Sequence, residues 1–578
     1  MAVGGAAKVD EFVPFPVKDQ HPGVDFCVSS SPPWRNYSFS QFVCVLTEAI
    51  LLGFQHYLVM LGTSVIIPSI VVPLMGGGNV EKAEMINTLI FVAGINTLLQ
   101  TWLGTRVPVV IGGSYAFIIP TITIALSTNS STNVIFLSPR QRFKQSMREV
   151  QGALIIASFF QMIIGFLGFW RIFSRFLSPL AAIPLVILTG LGLYARGFSQ
   201  LAKCVEIGLP ALLLVVFISQ YVPHMMKSWS SIYSRYAVLF SVAVVWAYAA
   251  VLTVAGAYNN KPPNTQLSCR VDRAGLIGAA PWIKFPYPFQ WGGPTFKAGN
   301  VFSMMAACLV AVIESTGTII AAYQYGSATH PPPSVFSRGI GWLGIGTLLD
   351  GLFGTGNGST ASVENAGLVG LTRVGSRRVI QIAAGFMLLF SVLGKFGAVL
   401  ASIPLPIVAA LYCVLFAYVG SLPDFRRGMA VMKIGTLETT ATSAGLGLIQ
   451  FCNLNSFRTK FILGFSLFLG LSVPQYFNEY LLVSGHGPVH TRATWFNDVI
   501  QVIFSSPATV AIIVAFFLDC THGRGHSTTR RDSGRHWWAK FRYYSQDTRT
   551  EEFYALPWNL NSEATKLSIK LEPEKISV

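Results

Sequence analysis

Long apolar segments recur along nearly the whole chain, and no other feature constrains its fold as strongly. A bilayer core about 30 Å thick takes roughly 20 apolar residues as a helix. Stretches of about that length lie near 42–72, 84–106, 107–126, 149–170, 171–196, 206–222 and 231–256. A polar interval rich in Pro, Asn and mixed charge follows at 257–298. Further apolar stretches lie near 299–321, 339–354, 359–370, 374–396, 403–420, 460–482 and 496–519. The count is seven on each side of the interval, with 436–452 readable as half a span or as a re-entrant piece. Only 11% of the residues are charged and 52% are hydrophobic, against about 25% charged in a soluble protein. Too little polar surface exists to cover a water-facing globule, so the chain reads as an all-α polytopic membrane protein.

Residues 1–40 contain no apolar core of a cleavable signal and read as a cytoplasmic tail. The net charge of +16 invites a nucleic-acid reading, but the basic residues sit mainly in loops and in the tail 521–578, where they set orientation. Arg524, Arg530, Arg531, Arg535, Lys540 and Arg542 follow the last span directly, which places both termini in the cytoplasm. The basic stretch "SPRQRFKQSMRE" (138–149) falls outside in this count, where topology and charge disagree. Eight cysteines are scattered with no CxxC and no Cys/His cluster, so no metal or cofactor site is expected, and most read as small apolar fillers. Cys204 and Cys269 both fall outside, which leaves a disulfide between them open. Asn129 heads a glycosylation sequon in an outside loop. There is no Gly-rich phosphate loop after a strand and no nucleophile–base arrangement, so an enzyme is not expected.

Two spans at matching places are broken. The third begins "VPVVIGGSYAFIIPTITIAL" (107–126), with β-branched residues and Gly112-Gly113-Ser114 ahead of any helix; its counterpart in the second half is "NGSTASVENAGLVGL" (357–371). Each is too short to cross as a full helix and has an extended, Gly-rich lead-in. Irregular backbone at membrane depth is tolerated only where it is buried in protein or lines a cavity. Transporters built from inverted repeats place their sites at such interruptions. The expectation is two half-helices whose N-termini meet near the midplane, with free N–H groups and positive dipole ends facing electron-rich ligand atoms.

Ionisable groups inside spans are costly and point to function. Glu48 lies in the first span, where a structural role is expected, and Asp350 sits near a span end. Glu314 lies in "LVAVIESTGTIIAAY" (309–323) on a small, apolar helix face, with no Lys or Arg in its span. Glu364 falls in the first turn of the second half-helix, where a carboxylate costs least. Two carboxylates facing one cavity give a site a means of taking up a proton. Asn365, Gln55 and His56 add amide and imidazole groups, and Tyr115 and Phe117 add flat apolar surface. Together they suit a small planar ligand bearing several N–H and C=O groups.

At these residues the chain closely resembles the nucleobase–ascorbate transporter family, also called nucleobase:cation symporter-2. The family signature reads here Glu364-Asn365-Ala366-Gly367-Leu368-Val369-Gly370-Leu371-Thr372-Arg373 and matches at every fixed position. "GFQHYLVM" (53–60), "GGSYAFIIP" (112–120) and "IESTG" (313–317) are similar to the family's first-, third- and eighth-span motifs, and "GSATHPPPSVFSRGIGW" (326–342) is similar to plant members. The resemblance covers about residues 35–520. It implies fourteen spans in two seven-span inverted repeats (41–256 and 299–520), with spans 3 and 10 each broken into a short strand and a half-helix. Spans 1–4 and 8–11 would form a core domain and spans 5–7 and 12–14 a gate domain, with an elevator movement of core against gate and a homodimer formed through the gate. It further implies import of nucleobases (uracil, or purines such as xanthine, guanine, adenine and uric acid) by proton symport at the plasma membrane, with lipid the other partner. Glu314, Glu364 and Tyr115 would then contact the base, Asn365 would brace the site, and Gln55 and His56 would support it. Thr372 and Arg373 would tune specificity or movement. Where many relatives carry Asp or His, this chain has Thr318, which weakens the expectation of proton coupling. An ascorbate transporter is the alternative within the family; ascorbate carriers have Pro in place of Glu364, and a second carboxylate repels an anion. An anion exchanger or channel on the same fold is the third reading, disfavoured by the paired glutamates and by a C-terminal tail too short to form a folded domain.

Overall fold

The computed structural model describes residues 39–129, 138–226, 230–272, 276–326, 330–372, 374–420, 455–484 and 486–522, together with positions 448, 452, 453, 532–535, 554 and 556. The expected N-terminal tail, Arg373, most of 436–452, nearly all of the C-terminal tail and the side chain of Asn129 lie outside the described residues.

The first apolar stretch forms α1 (Phe39–Leu74), which keeps Pro68 and Pro73 for its last turns before the chain reverses at Gly76 with φ of 87°. Helix α2 (Asn79–Trp102) opens with Glu81, whose carboxylate accepts from the Gly78 N–H at 3.0 Å. After β1 (Ile111–Gly113) and a 3-10 turn (Tyr115–Phe117) come α3 (Ile118–Asn129), α4 (Pro139–Phe166), α5 (Phe169–Phe176) and α6 (Pro179–Leu191). Helix α7 (Val205–Val216) runs on through a π turn at Phe217–Tyr221, and α8 (Ser230–Val254) follows. The second half holds α9 (Ala298–Tyr325), α10 (Pro333–Phe353), β2 (Ser359–Ala361), α11 (Val363–Thr372), α12 (Arg377–Val392), α13 (Gly394–Ala401), α14 (Leu405–Gly420), α15 (Phe457–Ser484), α16 (Thr494–Phe504) and α17 (Pro507–Thr521).

Among the described residues, seven helices are long and apolar enough to cross a bilayer, or nine if each of two sharply bent pairs is one span. The expected fourteen is not reached by that measure because several of the expected spans are interrupted. The stretch read as 374–396 is α12 and α13, bent by 109°, and that read as 496–519 is α16 and α17, bent by 82°. Pro507 stands at the start of α17, and Ser506 before it accepts from the Thr509 N–H at 3.4 Å. The broken third and tenth stretches and α14 are shorter still.

The basic stretch 138–149, expected as a loop, is instead the opening of α4. Gln141 Oε1 accepts from the Ser138 N–H at 3.1 Å and Pro139 takes the first helical position, an end built by capping that hydropathy alone does not show. At the inner end of that stretch Glu149 is buried and compensated, with Lys297 Nζ at 2.7 Å and Thr128 Oγ1 donating at 2.9 Å. The disulfide left open by the sequence forms between Cys204 and Cys269. The polar interval also carries short helices at Pro263–Cys269 and Leu276–Ala279.

The helices pack in two groups. In one, α1 and α2 pack on α12, and α4 packs on α9 and α10; in the other, α6, α15 and α17 pack together and α14 packs on α6 and α7. The groups meet where α11 lies on α14, α9 on α6, and α9 on α16. Large apolar side chains such as Phe461, Phe465, Phe468 and Tyr476 of α15 stay exposed on the outer surface, as a lipid-facing surface requires. Two pieces of the C-terminal tail dock on this frame. Arg535 and Arg458 both pair with the buried Asp519, at 2.8 and 2.7 Å, and the buried Tyr554 accepts through its carbonyl from Arg338 at 3.1 Å.

Candidate functional site

Strands β1 and β2 pair antiparallel, Ile111 opposite Ala361, Gly112 opposite Thr360 and Gly113 opposite Ser359. The pairing is prolonged at both ends, with the Ser114 N–H donating to the Gly358 carbonyl at 3.1 Å and the Ser362 N–H to the Val110 carbonyl at 2.9 Å. The two Gly-rich lead-ins thus satisfy each other's backbone inside the protein, as membrane depth demands. Gly358 is required by close approach: a Cβ there would lie 2.4 Å from the Phe117 ring. Asp350 holds β2 from behind, accepting from Ser359 at 2.5 Å and Thr355 at 3.1 Å, while Asn96 donates to Ser359 at 2.7 Å.

The 3-10 turn that follows β1, at Tyr115, and the N-terminal end of α11, which follows β2, border one cavity of about 30 Å³, room for roughly two water molecules; no residue of α3 lines it. Its wall includes Tyr115 from the first lead-in, Thr360, Ser362 and Glu364 from the second, Glu314 from α9 and Thr63 from α1. The remaining wall comes from the other group: Leu188, Thr189 and Leu193 at the end of α6, and Pro507 and Ala508 at the start of α17.

Glu364, in the first turn of α11, accepts through Oε1 from the Thr63 hydroxyl and from Tyr412 OH at 3.4 Å; Thr63 and Tyr412 are 3.2 Å apart. Glu314 accepts through Oε1 from Ser506 Oγ at 2.8 Å. Both carboxylates are therefore held by hydroxyls, with no basic side chain in either contact, and both reach a donor on the other helix group. The wall offers carboxylate acceptors, hydroxyls that both donate and accept, and one aromatic ring. Such a set can accept hydrogen bonds from, and donate them to, a polar group, and can pack a flat surface against the ring.

Of the residues expected from sequence, Glu314, Glu364 and Tyr115 meet in this cavity. Asn365 and His56 stand behind the wall, with His56 Nδ1 2.9 Å from Asn365 Oδ1 and Asn365 Nδ2 donating to Ser362 Oγ at 2.8 Å. Gln55 is turned away and donates to the Arg235 carbonyl at 3.1 Å; Arg235 also pairs with Glu48, which takes the structural part expected of it. Phe117 does not contact the cavity: it is fully buried under the strand crossing, where its ring fills the space Gly358 leaves. Thr318 and Thr372 spend their hydroxyls on their own helices, bonding the Glu314 and Leu368 carbonyls at 3.0 and 2.8 Å, and neither reaches the carboxylates. Sequence reasoning missed Thr63, Ser506 and Tyr412. Thr63 lies two turns beyond Gln55 on α1, a spacing that was legible; Ser506 and Tyr412 come from distant helices and carried no local signal.

With this geometry in hand, the similarities to known proteins decide the family. A sequence model of a permease family matches residues 47–423. Nucleobase-ascorbate transporter 4 of Arabidopsis thaliana is 64% identical over 96% of this chain and 99% of its own length. The chain belongs to the nucleobase–ascorbate transporter family. Nucleobase-ascorbate transporter 6 of the same plant is 59% identical over 97% of this chain and 99% of its own length, and the maize relative LPE1 is 53% identical over 96% and 98%. It is therefore a plant-type member, a multi-pass membrane transporter and not an enzyme. Among solved structures, the transmembrane domain of the cyanobacterial bicarbonate transporter BicA overlays with a TM-score of 0.40 at 14% identity, covering 70% of this chain and 94% of that one. SLC26A9 overlays with a TM-score of 0.43 at 13% identity, covering 67% and 59%. Overlap this partial says nothing about cargo.

Proposed function

We propose that this transporter imports nucleobases, uracil or purines such as xanthine, guanine, adenine and uric acid, by proton symport across the plasma membrane. The observation that carries the reading is the pair Glu314 and Glu364 in one cavity, each held by hydroxyls and uncompensated by a cation in those contacts. A base would present ring N–H groups to these carboxylates and its carbonyls to N–H and hydroxyl donors at the start of α11, with its face against Tyr115. To bind Glu314 it would take the place of the Ser506 hydroxyl. A proton taken up on either carboxylate would travel with the base, since a second negative charge in the same cavity is costly.

In this reading the fourteen-span, two-repeat plan holds, with the α1–α4 and α9–α12 side as the moving core and the α6–α8 and α14–α17 side as the gate. The movement is an elevator: the paired strands carry the base as one rigid piece, while Tyr412 and Ser506 stay behind with the gate. Both termini are cytoplasmic, and the gate forms a homodimer. The named relatives support a nucleobase or ascorbate as cargo; the paired carboxylates favour the base.

The test is uptake of labelled uracil, adenine, guanine, xanthine, uric acid and ascorbate in cells lacking their own nucleobase permeases, at acidic and neutral external pH. Wild type runs beside Glu364→Gln and Glu314→Ala. Base uptake that rises on acidification and is lost in Glu314→Ala supports the reading. Ascorbate uptake without base uptake overturns the substrate, and base uptake indifferent to pH overturns the coupling.

A further inference from the structure

One basic side chain approaches the cavity wall and has no part in the site described above. Arg196 ends a 3-10 turn (Tyr194–Arg196) that follows α6, and its guanidinium carbon lies 4.9 Å from the centroid of the Tyr115 ring. The turn is well held. The Arg196 N–H donates to the Leu193 carbonyl at 2.8 Å, the Gly197 N–H to the Tyr194 carbonyl at 3.0 Å, and Gly197 seats closely against Cys413 of α14. Gly192 and Leu193, immediately before the turn, are themselves cavity wall. Among the described residues no carboxylate lies within ion-pair distance of Arg196, and its side chain is half-buried. The guanidinium of this half-buried residue, with no counter-ion in contact among the described residues, thus lies over the one aromatic ring in the cavity wall.

Physical chemistry gives it a consequence. A cation on a tyrosine face draws on the ring's electron density, and its own field extends into a cavity of low dielectric. A heterocycle resting near Tyr115 therefore meets an electron-poor surface backed by a full positive charge. Electron-rich rings bearing several carbonyls, and above all those that readily lose a ring proton, gain from this. Amino-substituted rings, whose exocyclic groups are donors, do not.

We propose that Arg196 is a specificity-determining residue, which acts through Tyr115 to favour acidic, carbonyl-rich bases over amino-substituted ones. It offsets part of the repulsion that Glu314 and Glu364 would exert on such a base, so a site built on two carboxylates can still accept a ligand of partly anionic character. This rests on the nucleobase reading above and adds the discrimination between classes of base.

The experiment compares wild type, Arg196→Gln and Arg196→Lys in the same permease-deficient cells, with transporter at the surface quantified for each. Uric acid, xanthine, adenine and uracil each compete against whichever labelled base is carried. In Arg196→Gln the apparent affinity for uric acid and xanthine is expected to fall on the order of tenfold relative to adenine. Maximal rate per surface molecule should be unchanged, and Arg196→Lys should restore part of the preference. An equal loss for all four bases, or a fall in maximal rate alone, would assign Arg196 a merely structural or gating part and overturn the inference. If the wild type carries bases but their order is the same in Arg196→Gln, this inference fails alone; if the wild type carries none, the nucleobase reading fails and takes it down too.

Discussion

Gly367→Ala tests the contact between α11, which carries Glu364, and α14, which carries Tyr412. A Cβ at residue 367 would lie 2.2 Å from the Leu415 carbonyl oxygen, 2.8 Å from its carbonyl carbon and 3.1 Å from its Cα. All three are backbone atoms, so no rotamer change relieves the clash. Real Cβ contacts essentially never fall under 3.0 Å, so the two helices must part by at least about 0.8 Å. Overpacking of this kind costs about 1–3 kcal/mol. If the whole cost falls on the arrangement in which α11 and α14 touch, its population drops by about 5–150-fold relative to any arrangement in which they are apart. The assay pairs the melting temperature of purified protein with uptake per surface molecule. The variant should melt lower and carry base at least about fivefold more slowly. Gly385→Ala is the control, because nothing lies within 4 Å of a Cβ there, and it should leave both readings unchanged. Gly367→Ala with wild-type melting and wild-type uptake would falsify the close α11–α14 contact and the argument built on it.

Thr63→Val and Tyr412→Phe each remove a hydroxyl donor from the buried Glu364, a loss of about 1–3 kcal/mol apiece; KM for the carried base should change in both, and the double variant should depart from additivity because the hydroxyls also contact each other. Asp519→Ala leaves Arg458, only 8% exposed, as an uncompensated buried charge, at about 3–5 kcal/mol. Arg535→Ala, whose side chain is 34% exposed, should cost well under half of that, and the order of melting temperatures checks both. Cys204→Ser opens a loop closed at a sequence separation of 65, worth about 4 kcal/mol in the chain-entropy account; a reductant should then lower the melting temperature of the wild type and leave the variant's unmoved.

What could be read from the sequence was whatever depends on neighbours in the chain. Apolar length gave the membrane class, and "VVIGGS" and "NGSTAS" gave two interrupted spans, because Gly and β-branched residues announce extended backbone without help from elsewhere. Glu314, Glu364 and Tyr115 stood out as polar or aromatic groups in spans that offered them no local partner. The differences between expectation and structure share one cause. Phe117 looked like ligand surface because it stands two residues from Tyr115, yet a 3-10 turn sends the two rings different ways, one to the cavity and one under Gly358. Thr318 stands where many relatives carry Asp or His, and its hydroxyl is absorbed by the Glu314 carbonyl on the same helix, a partner that the motif comparison does not show. The stretch 138–149 looked like a loop because its charges end the hydropathy signal, while Ser138, Pro139 and Gln141 start a helix there all the same.

The partners that sequence could not supply are those that make the cavity a boundary. Tyr412 reaches Glu364 from α14, Ser506 reaches Glu314 from the head of α17, and Arg196 reaches Tyr115 from the end of α6. Each pair joins one helix group to the other, and each holds a side chain that the proposed base would need. On the proposed mechanism the competition has a definite sign. A base N–H that replaces the Ser506 hydroxyl on Glu314 exchanges one hydrogen bond for another, a net change of at most about 1 kcal/mol, so most of its affinity must come from burying its ring against Tyr115 and the wall. That same exchange removes a tie between the groups. On the proposed mechanism, binding would loosen the boundary the base occupies and so couple loading to movement.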